Sequence, residues 1–187
     1  MTSAKKIHLL VECACMVALA TVLSLIKVWT MPMGGSITLL SMLPVCCFSV
    51  KNGLKWGFIC SVLYAFVQIA VDIAGILSWG LTPLVLIGTF VFDYILAYGI
   101  LGISGIFAKN GSKISVVLGI ALAMLLRLIF HFISGCILFG TWENGTWAVI
   151  SYSAAYNVTY MLPELVFTSI GAVLIHPYIT RFLANKK

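Results

Sequence analysis

Charged residues are scarce in this sequence, and acidic residues are the scarcest of them. Only 9% of the 187 residues are charged and five are acidic, whereas 62% are hydrophobic. A soluble domain carries roughly 25% charged residues, so this chain could not cover a surface that faces water. The composition therefore predicts an all-α integral membrane protein.

Catalytic motifs are missing as well. The sequence contains no G-x-x-x-x-G-K-[ST] nucleotide loop and no H-E-x-x-H, G-x-S-x-G or Cys/His cluster. Its cysteines lie in apolar segments, at spacings that fit neither zinc ligands nor a disulfide framework. We therefore expect no enzyme, no bound metal and no cofactor. The six cysteines are Cys13, Cys15, Cys46, Cys47, Cys60 and Cys136.

Six long apolar runs occupy nearly the whole chain. At about 20 residues per span, six spans leave no room for a soluble domain, so residues 1–187 are expected to form a single transmembrane domain. The second run is short and contains Pro44, which predicts a helix that is tilted, broken or buried against its neighbours. The approximate bounds of the runs are 7–27, 36–50, 53–72, 82–107, 114–139 and 149–179.

Basic residues are distributed unequally between alternate connections. The connections on one side carry nine, whereas those on the other carry Lys27 with the acids Asp72 and Glu143. Because basic residues favour the cytoplasmic side, this pattern predicts a plasma-membrane bundle with both termini inside (N-in/C-in). It also explains the net charge of +6 without a nucleic-acid partner. The nine are Lys5, Lys6, Lys51, Lys55, Lys109, Lys113, Arg181, Lys186 and Lys187.

Five polar residues lie within the spans, where a buried charge costs on the order of 3 kcal/mol. With a helical rise of about 1.5 Å per residue, Asp93, His131 and Asn157 fall in one layer of the outer half. Arg127 and Glu164 lie deeper, near the midplane. Three different helices therefore bring polar groups to one region.

Aromatic residues accompany these positions. Tyr152, Tyr156 and Tyr160 recur every four residues and so form one stripe of a helix. That stripe must face protein or a cavity rather than lipid. The arrangement fits either a structural pairing of Arg127 with an acid or a ligand site. The ligand-site candidates are Asp93, His131, Asn157 and Tyr152.

The charge balance indicates what such a site would bind. If Glu164 or Asp93 neutralises Arg127, one acid remains among aromatic rings. This combination suits an organic cation with flat rings, and a proton relay is the other use of such residues. Ala14 and Ala18, four residues apart on the first span, would let another helix approach closely.

Three segments carry a resemblance to a known family. Met31-Pro-Met-Gly-Gly-Ser36, the segment from Arg127 to Gly135 and the segment from Tyr152 to Tyr160, with Asp93-Tyr94 between, resemble the thiamine-specific S-component of energy-coupling-factor transporters. The resemblance extends over essentially the whole chain and includes the six-span layout. It implies a bacterial membrane protein that captures thiamine outside and hydrolyses no ATP itself.

The resemblance also implies roles for individual residues. Asp93 would face the thiazolium ring of thiamine, and His131 would stack on that ring. Tyr152 and Asn157 would contact the aminopyrimidine, while Tyr94 and Gly135 line the pocket. Arg127 and Glu164 would serve as ligand contacts or as a structural pair.

The sequence departs from the family pattern at two positions. Some members have a stacking tryptophan where this chain has Phe139, and Trp142 is the nearest substitute. Some members have Glu where this chain has Asp93, so the charge is kept and its reach is shortened.

The implied partners are thiamine, the lipid bilayer, a transmembrane coupling subunit that docks at Ala14 and Ala18, and two ATPase subunits. Two alternatives remain: an autonomous proton-coupled thiamine transporter, and an S-component for another vitamin.

Overall fold

A computed structural model describes residues 3–108, 111–140 and 145–184 as a bundle of helices with one small hairpin. The helices are α1 (Ser3–Leu25), α2 (Leu43–Asn52), α3 (Leu54–Ser78), α4 (Pro83–Gly105), α5 (Lys113–Ile137) and α6 (Thr146–Ala184). The hairpin pairs β1 (Lys27–Thr30) with β2 (Ser36–Thr38) in antiparallel register. The prediction of an all-α bundle of six helices is confirmed.

Five of the six helices are long and apolar enough to cross a membrane. The exception is α2, whose 10 residues extend only about 15 Å at the α-helical rise. The prediction of a second span over 36–50 is therefore wrong in its first half, where the chain forms β2 and a turn. Pro44 begins the helix instead of breaking it, because a helix's first turn tolerates a residue without an N–H group.

The end of the third span also differs from the prediction. The third span continues to Ser78, so Asp72 lies within α3 and not at its end. The hairpin turn requires Gly34, whose φ of +89° is unfavourable for residues with a side chain. A Cβ atom there would also lie 2.9 Å from the ring of Trp79.

Helix α4 changes its hydrogen-bonding pattern along its length. An α-helical start over Pro83–Thr89 gives way to a π-helical segment over Phe90–Leu96 and, after one α-helical turn, to a 3₁₀ segment over Ile100–Gly105. The wider π turn contains Asp93 and Tyr94. Such π-helical segments occur frequently at functional sites.

The hydrophobic core is centred on α2, which packs against α1, α3, α4 and α6. Glycines allow this close approach: a Cβ atom at Gly102 would lie 2.7 Å from the backbone of Phe58, and one at Gly105 would lie 2.5 Å from the carbonyl oxygen of Ser49. The Ser49 hydroxyl donates to the carbonyl of Gly102 at 2.5 Å and accepts from the amide of Gly105 at 3.2 Å. Helices α2, α3 and α4 are thus held together tightly at this end.

Candidate ligand-binding cavity

A cavity of about 270 Å³ lies between the hairpin and the helices α3 to α6. Its size is close to the lower end of the range for small-molecule sites, about 300–1,000 Å³. Eight of the nine predicted ligand residues line it, and Glu164 does not. The eight are Asp93, Tyr94, Arg127, His131, Gly135, Phe139, Tyr152 and Asn157.

Asp93 is bound by two side chains of α5. Nδ1 of His131 lies 2.8 Å from Oδ1 of Asp93, and the hydroxyl of Ser134 donates to Oδ2 at 2.5 Å. Among the described residues, Nε2 of His131 is buried and has no hydrogen-bonding partner. The carboxylate of Asp93, on the π turn of α4, and the imidazole of His131, on α5, therefore lie side by side.

Asn157 joins α5 to α6. Its amide nitrogen donates to the carbonyl oxygens of Ser153 at 2.9 Å and His131 at 3.3 Å, and its amide oxygen accepts from the hydroxyl of Tyr160 at 3.0 Å. Gly135 makes this approach possible, because a Cβ atom there would collide with the Ser153 hydroxyl. Both ends of the Asn157 amide are thus engaged with protein groups.

Aromatic rings surround the polar groups. The rings of Tyr152 and Tyr156 are stacked with centroids 6.1 Å apart, and Tyr160 is edge-on to both Tyr156 and His131. Tyr152 is 72% exposed, which places it at the rim of the cavity. The rings of Phe139 and Trp79 meet edge-on at 6.5 Å. Trp142, considered as a substitute stacking group, lies outside the described residues.

The hairpin is fastened to α6 by hydrogen bonds. The hydroxyl of Tyr156 accepts from the amide of Gly35 at 3.1 Å and donates to the carbonyl of Pro32. Deeper in the bundle, Oε1 of Glu164 accepts from the amide and from the hydroxyl of Thr38, each at 2.5 Å. These bonds bring the Met31–Ser36 segment over the cavity.

Arg127 and Glu164 are both buried, and Nη1 of Arg127 lies 3.9 Å from Oε2 of Glu164. That distance brings opposite charges together but exceeds a hydrogen bond. The guanidinium also lies 4.3 Å above the ring of Tyr98, a cation–π arrangement, and contacts the sulfur of Met42 at 2.7 Å. Arg127 thus has an anion and a π face as partners.

The sequence prediction missed several residues of the cavity wall. The predicted apolar run ends at Asp72, which predicts a place for it at the edge of a connection, whereas the structure places it on α3 facing Tyr94. Ser134 follows His131 by three residues, and this spacing places both on one face of a helix. The spacing could therefore have identified Ser134 as a site residue. Tyr156 and Tyr160 lie on the predicted tyrosine stripe, of which the sequence prediction names only Tyr152 as a site residue.

Comparisons with known proteins agree with this architecture. Residues 10–184 match the family described as thiamine transporter protein (Thia_YuaJ). The thiamine transporter ThiT of Bacillus subtilis (strain 168) is 32% identical over 200 residues, covering 100% of both chains. The chain belongs to the thiamine transporter protein family. Membership in this family shows a multi-pass membrane protein that is a transporter and not an enzyme.

A solved structure supports the same fold for this family member. ThiT from Listeria monocytogenes superposes with a TM-score of 0.74 at 22% identity, covering 94% of this chain and 98% of that one. Ala14 and Ala18 are exposed on α1, and neither lines the cavity.

Replacing Arg127 with Met tests whether the Arg127–Glu164 pair stabilises the fold. The substitution leaves the Glu164 carboxylate buried without its cation, and we expect the free energy of unfolding to fall by about 3 kcal/mol. The double variant Arg127→Met/Glu164→Gln removes both charges and should recover most of that loss. Denaturation of the purified protein in detergent measures both values, and a double variant no more stable than the single one would contradict the pairing.

Proposed function

We propose that this chain is the thiamine-binding membrane subunit of an energy-coupling-factor importer. It captures thiamine at the outer face and delivers it through a shared transmembrane coupling subunit and two ATPase subunits. The observation that carries this proposal is the Asp93 carboxylate in a cavity walled by tyrosines. Thiamine is a permanent organic cation with two flat rings, so an anion and π faces are its natural partners.

The proposed contacts follow from the positions of the side chains. Asp93 faces the thiazolium ring, whose charge it balances while His131 and Ser134 hold its two oxygens. His131 stacks on that ring and presents Nε2, which lacks a protein partner in the described part of the chain. Tyr152 and Asn157 contact the aminopyrimidine from α6. Tyr94, Gly135 and Phe139 complete the wall.

Arg127 and Glu164 act as a structural pair beneath the ligand in this proposal. Both are buried, Glu164 is absent from the cavity wall, and its second oxygen binds Thr38. The pair therefore supports the cavity floor and the end of the hairpin without serving as the main ligand contact.

The partner proposal rests on α1. Ala14 and Ala18 expose small side chains on one face of this helix, which allows close approach of a helix from the coupling subunit. The sequence contains no nucleotide-binding loop, so ATP hydrolysis would be supplied by the other subunits. The proposed orientation has both termini in the cytoplasm and the hairpin outside, as the basic residues predict.

One observation favours a second candidate, an autonomous proton-coupled thiamine transporter. The Asp93–His131 contact at 2.8 Å joins two groups that can exchange a proton. Proteoliposomes containing this chain alone separate the two candidates, because the importer subunit cannot accumulate thiamine with only a pH gradient. Robust accumulation under that condition would overturn the importer proposal.

Calorimetry of the purified chain with thiamine, riboflavin and biotin tests the vitamin. We expect binding of thiamine alone among the three, since only thiamine carries a fixed positive charge for Asp93. Absence of thiamine binding at micromolar concentration would refute the proposed function, and binding of another vitamin would reassign it.

Asp93→Asn should weaken thiamine binding by about 2 kcal/mol, or roughly 30-fold, the scale of a contact between charged groups. The shape of the side chain is kept while its charge is lost. Asp93→Glu is the matched control, because it keeps the charge and should retain binding. Calorimetry that finds equal affinity for wild type and Asp93→Asn would remove Asp93 from the site.

Ala14→Trp should abolish thiamine uptake by the complete importer while thiamine binding to the isolated chain stays unchanged. The bulky ring would keep the coupling subunit's helix at a distance. The control is Ile129→Trp, which introduces the same side chain at an exposed position on α5 and should leave uptake intact. Loss of binding in the Ala14 variant would mean that α1 supports the fold or the cavity.

A further inference from the structure

A second carboxylate in the cavity wall has no part in the contacts proposed above. Asp72 lies on α3, is half-buried and lines the cavity. Tyr94 donates a hydrogen bond from its hydroxyl to Oδ2 of Asp72 at 3.1 Å. Among residues 3–108, 111–140 and 145–184, Oδ1 of Asp72 has no hydrogen-bond donor. One carboxylate oxygen is therefore open to a ligand.

Tyr94 fixes the direction in which this carboxylate points. Its side chain is buried, with 8% of the residue exposed, and its ring is stacked on Tyr98 at 5.9 Å. Because Tyr94 and Asp93 are neighbours on the π turn, Asp72 meets this segment of α4 at the residue next to Asp93. Asp93 contacts α5, whereas Asp72 faces α4 from α3.

The helices give the order of these groups across the cavity. Helix α5 packs against α6 and against the π-helical segment of α4, and that segment packs against α3. Thiamine has three parts in sequence: the aminopyrimidine, the thiazolium and a hydroxyethyl group on the thiazolium. With the aminopyrimidine at α6 and the thiazolium at Asp93, the hydroxyethyl group extends toward α3.

We propose that Asp72 accepts a hydrogen bond from the hydroxyl of the ligand and thereby selects the free alcohol against its phosphate esters. This inference rests on the proposed function and adds a specificity-determining residue to the same site. An alcohol donates a proton to the open carboxylate oxygen. A phosphate monoester has no such hydroxyl and carries about −1.5 to −2 charges at neutral pH, so Asp72 repels it.

A basic residue of the cavity wall provides the control for the effect of Asp72 on phosphate-ester binding. Within the described part of the chain these are Lys27 and Arg127. Arg127 is already engaged by Glu164 and the ring of Tyr98. Lys27 is exposed on β1, so it is the cation most able to attract a phosphate. Asp72 should therefore weaken the binding of the phosphate esters, whereas Lys27 should strengthen it.

The test compares the affinities for thiamine and thiamine monophosphate in three purified proteins at neutral pH. Wild type should prefer thiamine. Asp72→Asn should bind thiamine about tenfold more weakly and bind the ester at least as well as wild type, so that the ratio of the two affinities falls tenfold or more. Lys27→Gln should leave that ratio unchanged or raise it. An unchanged ratio in Asp72→Asn, or an equal fall in Lys27→Gln, would overturn the inference.

A second measurement uses wild type alone and does not depend on the stability of any variant. A thiamine analogue with an ethyl group in place of the hydroxyethyl group should bind about tenfold more weakly than thiamine. Equal affinity would also overturn the role of Asp72. Failure of wild type to bind thiamine at all would refute the proposed function itself, so the two failures are distinguishable.

Discussion

The cavity depends on Glu164, a carboxylate buried near the middle of α6. Its Oε1 accepts both the amide and the hydroxyl hydrogen of Thr38, and its Oε2 lies 3.9 Å from the guanidinium of Arg127. A charge buried in a membrane protein is tolerated only with such partners. This one side chain therefore links the end of the hairpin, the floor of the cavity and two helices.

The cavity wall is built from groups that already have protein partners. Asp93 is held by His131 and Ser134, and Asn157 spans from α5 to α6. This network fixes the directions of the carboxylate and the amide before any ligand arrives, which reduces the ordering cost of binding. In the described residues, Nε of Arg127, Nε2 of His131 and Oδ1 of Asp72 are among the exceptions.

The helices and most of the polar layer could be predicted because they depend on local patterns. Long apolar runs specify helices in a membrane, and the costly residues Asp93, Arg127 and His131 had to face inward. The hairpin could not be predicted in this way. Its strands are only four and three residues long, and they are held by Tyr156 and Glu164 from a distant part of the chain.

Other features were missed because they depend on tertiary contacts. Nothing in the composition of residues 90–96 distinguishes a π turn from an α turn, yet that turn determines where Asp93 and Tyr94 lie. Asp72 ends a predicted apolar run, and its position in the cavity depends on Tyr94 of another helix. Patterns along the chain show which groups are polar but not how neighbouring helices are rotated.

The glycine-mediated packing of α2, α3 and α4 has a mechanical consequence. At Gly102 and Gly105 the backbones are so close that a single methyl group would not fit, and atoms in such contact resist both compression and separation. Separating these three helices would therefore lose close backbone contacts. The hairpin, by contrast, is held to α6 by hydrogen bonds: Glu164 accepts from Thr38, and the Tyr156 hydroxyl accepts from Gly35 and donates to Pro32. Widening the mouth of the cavity thus requires the exchange of a few hydrogen bonds, whereas spreading the helices would forfeit an entire packed surface.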